Sequence, residues 1–301
     1  MLAQVSLTPT ESKKLIGKAV AVMEPVKSAR KRGLVVMHPS SSTYFVVEAI
    51  TGDAPPTNVW LCGAIVPKGA CGEIGIHMGG HSLFDPSRAS DGPERKRGAG
   101  NFPFSWVLRK GAWAKQETLG ELLEQMGPED VYIKGVNALD ASGNVGVLWG
   151  NDIEGGSAAL VMKMQRKRGF KVVYPTGLEK LIPGSIQVAA KNAKKFQYDY
   201  AMGVSCGLLP VKGEVLTELK AIELLSGAQA TVISAGGVGG AEGAVTMVIK
   251  GEERAVRKAV EHIEDSKGAK LPAVRLANCA DCPNPLTICT FRLSGKPWVQ
   301  W

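Results

Sequence analysis

Short apolar runs alternate with polar loops and amphipathic segments along the first two thirds of the chain. The apolar runs are too short for helices and predict strands at 34–37, 59–66, 131–133, 145–149 and 171–174, with an edge strand within 106–113. Segments with helical spacing predict helices at about 11–32, 44–50, 118–126, 158–168 and 185–195. Pro25 can kink or divide the first helix. Alternating strands and helices favour a largely parallel sheet.

The last third has a different order of elements. Strands at 211–215, 230–234, 244–249 and 273–276 and helices at 217–225 and 252–267 give the order βαββαβ, which is typical of a ferredoxin-like arrangement. The glycine-rich residues 236–240 lie between two of these strands, which indicates a hairpin or edge loop rather than a dinucleotide site. The predicted fold class is therefore α/β, with a mostly parallel Rossmann-like sheet in a domain over 1–205. A smaller α+β ferredoxin-like domain follows over 206–301.

Polar residues follow three of the predicted strands. Asn137 and Asp140 come after the strand at 131–133, and the hydroxyl run after 34–37 consists of Ser40, Ser41, Ser42 and Thr43. Gly155, Gly156 and Ser157 open the helix at 158–168. Ligands of α/β proteins bind at the carboxyl ends of strands, and a helix N-terminus attracts anions. The hydroxyl run is equally consistent with plain N-capping of a helix.

Composition and charge narrow the class of protein. The 301 residues are 45% hydrophobic with a net charge of +8, which suits an anionic small-molecule partner. The basic clusters at 30–32 and 95–97 are short, and no nucleic-acid motif accompanies them. No apolar run reaches the roughly 18 residues that span a bilayer, and the first residues lack the apolar core of a signal peptide. We expect a soluble, cytoplasmic protein with neither nucleic acid nor membrane as a partner.

Six cysteines are too few for a disulfide scaffold in a chain of this length. Cys279, Cys282 and Cys289 have the spacing C-x2-C-x6-C, which can bind zinc or an iron–sulfur cluster if a fourth ligand such as Cys206 joins them. Ordinary buried thiols or a transient disulfide fit the same spacing. We predict that the three residues act as one unit.

Two stretches of the chain resemble a known superfamily. The first is carried by Gly135, Asn137, Ala138, Gly143, Gly150, Asn151 and the run from Glu179 to Pro183, and the second by Cys279, Cys282, Pro285 and Cys289. The first is similar to the NagB/RpiA/CoA-transferase-like superfamily, and within it to the lactate-utilisation-protein (LUD-type) domain. The second is similar to the terminal cysteine motif of LUD-type proteins. The hydroxyl run at 40–43 lies where that superfamily has its first ligand loop. The placement of the three polar loops at strand ends, together with the positive net charge, leads us to expect an enzyme or former enzyme that binds a phosphate ester, an acyl-CoA or a carboxylate.

The chain differs from the superfamily at the residues that carry out the superfamily's catalytic chemistry. Sugar-phosphate isomerases have an acidic D-G-A-D-E-V-D segment, and here only Asp140 keeps a carboxylate in the corresponding stretch 134–140. The glutamate nucleophile of coenzyme-A transferases has no match, and Glu154 is the nearest substitute. If catalysis is retained, Asp140 is the candidate acid/base and Asn137 orients the substrate. The alternative is a non-catalytic regulatory protein whose ferredoxin-like domain mediates self-association, and we expect a homo-oligomer.

Overall fold

The computed structural model describes residues 1–56, 64–66, 69–71, 105–115, 117–150, 156–193, 197–199, 201–202 and 205–272. Its strands are β1 Leu2–Leu7, β2 Leu34–Met37, β3 Ala64–Val66, β4 Gly69–Cys71, β5 Trp106–Arg109, β6 Ala112–Trp113, β7 Val131–Ile133, β8 Ala138–Leu139, β9 Val145–Trp149, β10 Lys171–Pro175, β11 Gly207–Val211, β12 Glu214–Leu216, β13 Gln229–Gly236 and β14 Ala244–Lys250. Its helices are α1 Pro9–Val22, α2 Glu24–Arg32, α3 Ser41–Thr51, α4 Leu119–Gln125, α5 Gly156–Arg168, α6 Ile186–Asn192, α7 Glu218–Ser226 and α8 Glu253–Glu264. A 3-10 helix covers Leu178–Lys180.

A six-stranded sheet forms the centre of the fold, in the order β12-β10-β7-β2-β5-β6. The first four strands are parallel, and the hairpin β5–β6 adds two antiparallel strands at one edge. Three smaller sheets, β1-β14-β13, β11-β9-β8 and β3-β4, are antiparallel. The prediction of a mixed α/β fold with a mostly parallel sheet is thus confirmed.

The two faces of the central sheet are covered by different helices. Because successive side chains of a strand point to opposite faces, Val35 and Ile133 enter one apolar core while Val36 and Tyr132 enter the other. Helices α1, α3 and α7 supply side chains to the first core, and α4 and α5 supply them to the second. Both faces are buried, which is why β2 and β7 are apolar at every position.

The helix predicted at 11–32 is two helices, α1 and α2. Pro25 lies in the first turn of α2, where the missing N–H needs no partner, and Met23 between the helices has an extended backbone. The division turns α2 so that Val26 and Ala29 still reach the first core.

Strand β1 has no counterpart among the predicted elements. It pairs antiparallel with β14, from Leu2 opposite Lys250 to Leu7 opposite Val245. The prediction of one strand at 211–215 is wrong, because those residues are divided between β11, which pairs with β9, and β12, which pairs with β10. Gly213 permits the crossing, since a Cβ there would lie 2.6 Å from the carbonyl oxygen of Val172. The predicted strand at 273–276 lies outside the described residues.

Contacts cross the predicted domain boundary at residue 205. Leu7 and Leu15 share one core cluster with Ile222, Met247 and residues of α8. Strand β12 also joins the central sheet, which is otherwise built from residues before 205. The division into 1–205 and 206–301 stays a prediction, and any unfolding of one part must expose apolar surface of the other.

Glu11 strengthens the connection between the two ends of the described chain. Its carboxylate accepts a hydrogen bond from the backbone N–H of Thr8, which caps α1, and others from Lys267 Nζ at 2.7 Å and the N–H of Gly268 at 2.9 Å. Burial raises the pKa of Glu11, but these three hydrogen bonds and the positive charge of Lys267 outweigh it and lower the pKa to about 2. The carboxylate is therefore charged throughout the neutral range and holds residue 268 against the start of α1.

Candidate functional site

Four loops leave the central sheet at the carboxyl ends of its parallel strands. The strands end at Met37 of β2, Ile133 of β7, Pro175 of β10 and Leu216 of β12. The first loop residues continue the backbone pairing: the N–H of His38 donates to Ile133 O at 2.9 Å, and that of Lys134 donates to Val173 O at 3.1 Å. Loops that start side by side in this way meet at one edge of the sheet, which is the usual place for a ligand in an open α/β sheet.

The hydroxyl run after β2 forms the N-terminus of α3. Ser40 is the N-cap, and its Oγ accepts from the N–H of Thr43 at 3.2 Å. The Thr43 hydroxyl donates to the backbone oxygen of His38 and also contacts Ser40 Oγ at 2.9 Å. Plain N-capping therefore accounts for Ser40 and Thr43. Ser41 and Ser42 occupy the first turn, whose N–H groups have no partner within a helix.

Gly135, in the loop after β7, lies directly against this hydroxyl run. A Cβ at Gly135 would lie 3.0 Å from Ser40 Oγ and 3.7 Å from Ser42 Oγ. The absence of a side chain lets the loop after β7 approach the start of α3 closely. The structure thus brings together two of the loops that the sequence had singled out.

Lys180 brings the loop after β10 to the same place. It ends the 3-10 helix Leu178–Lys180, and its Nζ donates to Ser42 Oγ at 3.4 Å. Burial lowers the pKa of Lys180 to about 8, and the nearby Lys13 lowers it further, while Glu179 and Glu218 act in the opposite direction. This amine is therefore charged below pH 8 and increasingly neutral above it.

Two carboxylates lie behind Lys180. Glu179 pairs with Lys13 of α1 at 3.0 Å. Glu218, the first residue of α7, is fully buried and accepts from the N–H of Leu178 with both oxygens, at 3.1 and 3.0 Å. Burial raises the pKa of Glu218 to about 7, and the charge of Glu179 adds to the rise, although hydrogen bonds, among them one from Ser12, lower it. The site thus combines lysines and carboxylates that are shielded from water.

His38 and Lys134 complete the buried polar groups at this edge. His38 Nδ1 lies 3.2 Å from the hydroxyl of Tyr132. Burial lowers the pKa of His38 well below its ordinary value, and the charge of Lys134 lowers it further, so the imidazole is neutral at neutral pH. Positive charge in the site therefore comes from lysines and not from the histidine.

Asp140 has a structural position. Its carboxylate accepts from the backbone N–H groups of Ser142 at 2.9 Å, Asn144 at 3.0 Å and Ile186 at 3.0 Å, and also from the side-chain amide of Asn144. The bond from Ile186 is the largest influence lowering its pKa, and burial opposes it. A carboxylate bonded in this way holds the β8–β9 turn and the start of α6 together, so the geometry does not favour its predicted role as acid/base.

The other predicted site residues have three different outcomes. Asn137 Oδ1 accepts from the N–H of Leu148 at 2.9 Å and so supports the β8–β9 hairpin. Gly156 and Ser157 begin α5, whose side chains enter the second core, on the opposite face of the sheet from α3. Gly155 lies outside the described residues.

The cysteine prediction also lies outside the described residues, because Cys279, Cys282 and Cys289 are all beyond residue 272. Within the described part of the chain, no three His, Cys, Asp or Glu side chains are grouped as ligands of a metal ion. The prediction that the three thiols act as one unit stays untested.

Lys180, Glu218 and His38 were not predicted as site residues. One signal was present in the sequence, because each lies within a few residues of the end of a strand. Which of these strand ends are neighbours depends on the order β12-β10-β7-β2, and no local pattern reveals that order.

Comparisons with known proteins found no match to this chain. No family model, no curated protein and no solved structure matches this chain. Among the described helices, none has both the length and the apolar character needed to cross a bilayer.

Proposed function

We propose that the protein binds a small anionic molecule, either a phosphate ester, an acyl-CoA or a carboxylate, at the carboxyl ends of β2, β7 and β10. The observation that carries this proposal is the contact between Lys180 Nζ and Ser42 Oγ, which joins an ammonium group to the first turn of α3. An oxyanion at this position would accept from the lysine, from the hydroxyl and from the helix N–H groups together. The hydroxyls of Ser41 and Ser42 would orient it, since those of Ser40 and Thr43 are engaged in capping α3.

The electrostatics of the site support an anionic ligand of low charge. Lys13, Lys134 and Lys180 carry positive charge into a region where the partly exposed Glu179 and the buried Glu218 offset part of it. Burial makes each remaining charge more effective than it would be in water. A bound anion would replace part of the hydration that Lys180 loses on burial, so anion binding should be stronger while the lysine carries its proton.

The assignment of the two parts of the chain to known fold families is also a proposal. We infer that the central sheet is NagB/RpiA/CoA-transferase-like, related to LUD-type domains, because the hydroxyl run follows the first parallel strand as the resemblance requires. For the later segment, we keep a ferredoxin-like arrangement as a proposal in which β1 takes the place next to β14. Whether the protein is an enzyme does not follow from anion binding alone.

Sulfate binding tests the proposal, because sulfate is an oxyanion that does not titrate near neutral pH. Replacing Lys180 with methionine should weaken sulfate binding at least about tenfold, since a charge-assisted hydrogen bond is worth about 2 kcal/mol and tenfold corresponds to about 1.4 kcal/mol. Isothermal titration calorimetry measures the change. Glycerol 3-phosphate, acetyl-coenzyme A and pyruvate, titrated in the same way, discriminate among the three ligand classes.

The matched control is Lys14→Met, which removes a lysine from α1 that faces Glu48 at 3.9 Å instead of the site. It should bind sulfate as the wild type does. For the wild type, affinity should fall as pH rises through about 8, because Lys180 then loses its proton, and Lys180→Met should lack this dependence. Equal affinity in wild type and Lys180→Met would contradict the proposal.

A second candidate function is self-association through the sheet β1-β14-β13. Strand β13 is an edge strand among the described residues, and Ile233 on it is 54% exposed. Unpaired edges with exposed apolar side chains favour pairing with another chain. We expect a dimer by light scattering that Ile233→Lys converts to a monomer, while Leu224→Lys on α7 leaves it intact. A monomeric wild type at every concentration would remove this candidate.

A further inference from the structure

Ser42 and Lys180 form a close pair of a hydroxyl and an amine. Ser42 is the second residue of α3 and is only 1% exposed, and its Oγ lies 3.4 Å from Lys180 Nζ. The two residues come from loops that follow different parallel strands, so the central sheet fixes their positions. A nucleophile and its base within hydrogen-bond reach, often slightly longer before substrate binds, are the recurring feature of covalent catalysis.

The surroundings of Lys180 permit it to accept a proton. The charged groups that face it are Glu179 on its own 3-10 helix, Lys13 of α1 and Glu218 of α7. Burial and Lys13 favour the neutral amine, while the two carboxylates oppose it. A buried lysine whose amine becomes neutral near physiological pH is suited to act as a general base.

The start of α3 supplies what a developing oxyanion needs. The N–H groups of its first turn point away from the helix body, and the positive end of the helix dipole lies there. Gly135 leaves the side of Ser42 Oγ that faces β7 without a side chain, since a Cβ would lie 3.7 Å from that oxygen. A carbonyl carbon bonded to Ser42 would place its oxygen near donors that are already in position.

We propose that Ser42 is an acyl-accepting nucleophile with Lys180 as its base, and that the substrate is an ester or thioester that carries an anionic group. The proposal rests on the proposed function, because the anionic group would be held at the start of α3. It goes beyond anion binding, because it assigns a reaction to the same residues. The substrate class combines the acyl and anionic features of the ligands proposed above.

Each step of the reaction balances without a further reagent except water. Lys180 Nζ takes the proton of Ser42 as Oγ bonds to the carbonyl carbon, and the electron pair of the carbonyl moves to its oxygen. That pair returns as the bond to the alkoxide or thiolate breaks, and Lys180 gives the leaving group its proton. Water then repeats the sequence on the acyl-serine, which releases a carboxylate and restores both residues.

A fluorophosphonate probe tests this inference on the full-length protein. The probe should form one covalent adduct with the wild type, located at Ser42 by peptide mass spectrometry. Ser42→Ala should give no adduct, and Lys180→Arg should react at least about tenfold more slowly because guanidinium accepts no proton. Ser28→Ala on α2 and Lys14→Met on α1 are matched controls and should react like the wild type.

Sulfate titration of the same preparations separates this inference from the proposed function. Lys180→Arg keeps its charge and should retain sulfate binding while losing reactivity, and the wild-type labelling rate should rise with pH through about 8. Normal sulfate binding without an adduct at Ser42 would overturn the nucleophile and leave the binding proposal intact. Absence of both would overturn the two together, and labelling that is unchanged in Lys180→Arg would overturn the role of the lysine.

Discussion

Replacing Asp140 with alanine should lower the free energy of unfolding by about 2 kcal/mol, because the change removes the acceptor of the buried N–H of Ile186 and of the part-buried N–H groups of Ser142 and Asn144. The carboxylate is 4% exposed and is the common acceptor for Ser142, Asn144 and Ile186. Its loss releases both the β8–β9 turn and the first turn of α6. Urea unfolding followed by circular dichroism measures the difference.

The control for this prediction is Asp53→Ala, which removes an exposed carboxylate after α3 and should change stability by less than about 0.5 kcal/mol. Sulfate affinity of the folded Asp140→Ala protein should equal that of the wild type. Unchanged stability together with lost reactivity toward the fluorophosphonate probe would restore Asp140 to the catalytic role predicted from the sequence.

Replacing Met247 with alanine should destabilise the protein by about 3 kcal/mol, the typical cost of a cavity at a buried methionine. Met247 is 0% exposed in the middle of β14, between Val5 of β1 and Val232 of β13. It belongs to the core cluster that includes Leu15 of α1 and Val35 of β2. Because this core contains residues from both sides of residue 205, the folded structure should be lost cooperatively across both predicted domains.

Hydrogen exchange at Val36 reports on this cooperativity, since Val36 lies in β2, in the interior of the central sheet. We expect its protection to fall by the same free energy as the global stability. Leu224→Ala, at an exposed position of α7, is the control and should have little effect. Unchanged protection at Val36 in Met247→Ala would instead show that the two segments unfold separately, as the predicted division at residue 205 requires.

Local sequence patterns were sufficient to predict the strands and helices whose determining residues are neighbours in the sequence. The apolar runs of β2 and β7 and the strong helical periodicity of α8 predicted elements that the structure contains. Of the glycine-rich residues 236–240, Gly236 ends β13 and the other four lie in the connection between β13 and β14, as expected from their place between two strands. In each case the determining residues are neighbours in sequence, so propensity and periodicity describe them well.

The elements that were missed depend on partners far away in the chain. Strand β1 alternates exposed and partly buried residues over six positions, and it becomes a strand by pairing with β14 about 240 residues later. The residues around Gly213 look like one apolar run, but the chain there passes from one sheet to another. Tertiary pairing, which a local pattern does not contain, decided both cases.

Only part of the candidate site could be predicted from the sequence. The hydroxyl run after β2 could be selected because it follows a strand and begins a helix. Lys180 could not, because its approach to Ser42 depends on the parallel order of β10, β7 and β2. A carboxylate after a strand does not reveal how many N–H groups it will bind, so the hydrogen bonds of Asp140 could not be predicted, and its role as acid/base stays a prediction.

The most direct measurement of the central claim is an amide proton–nitrogen correlation spectrum recorded during titration with sulfate. We predict that the amide signals of Ser41, Ser42 and Thr43 move saturably in the wild type and in Lys14→Met, and that they do not move in Lys180→Met over the same concentrations. Saturable shifts confined to other parts of the protein, or identical shifts of these three amides in Lys180→Met, would contradict an anion site at the start of α3.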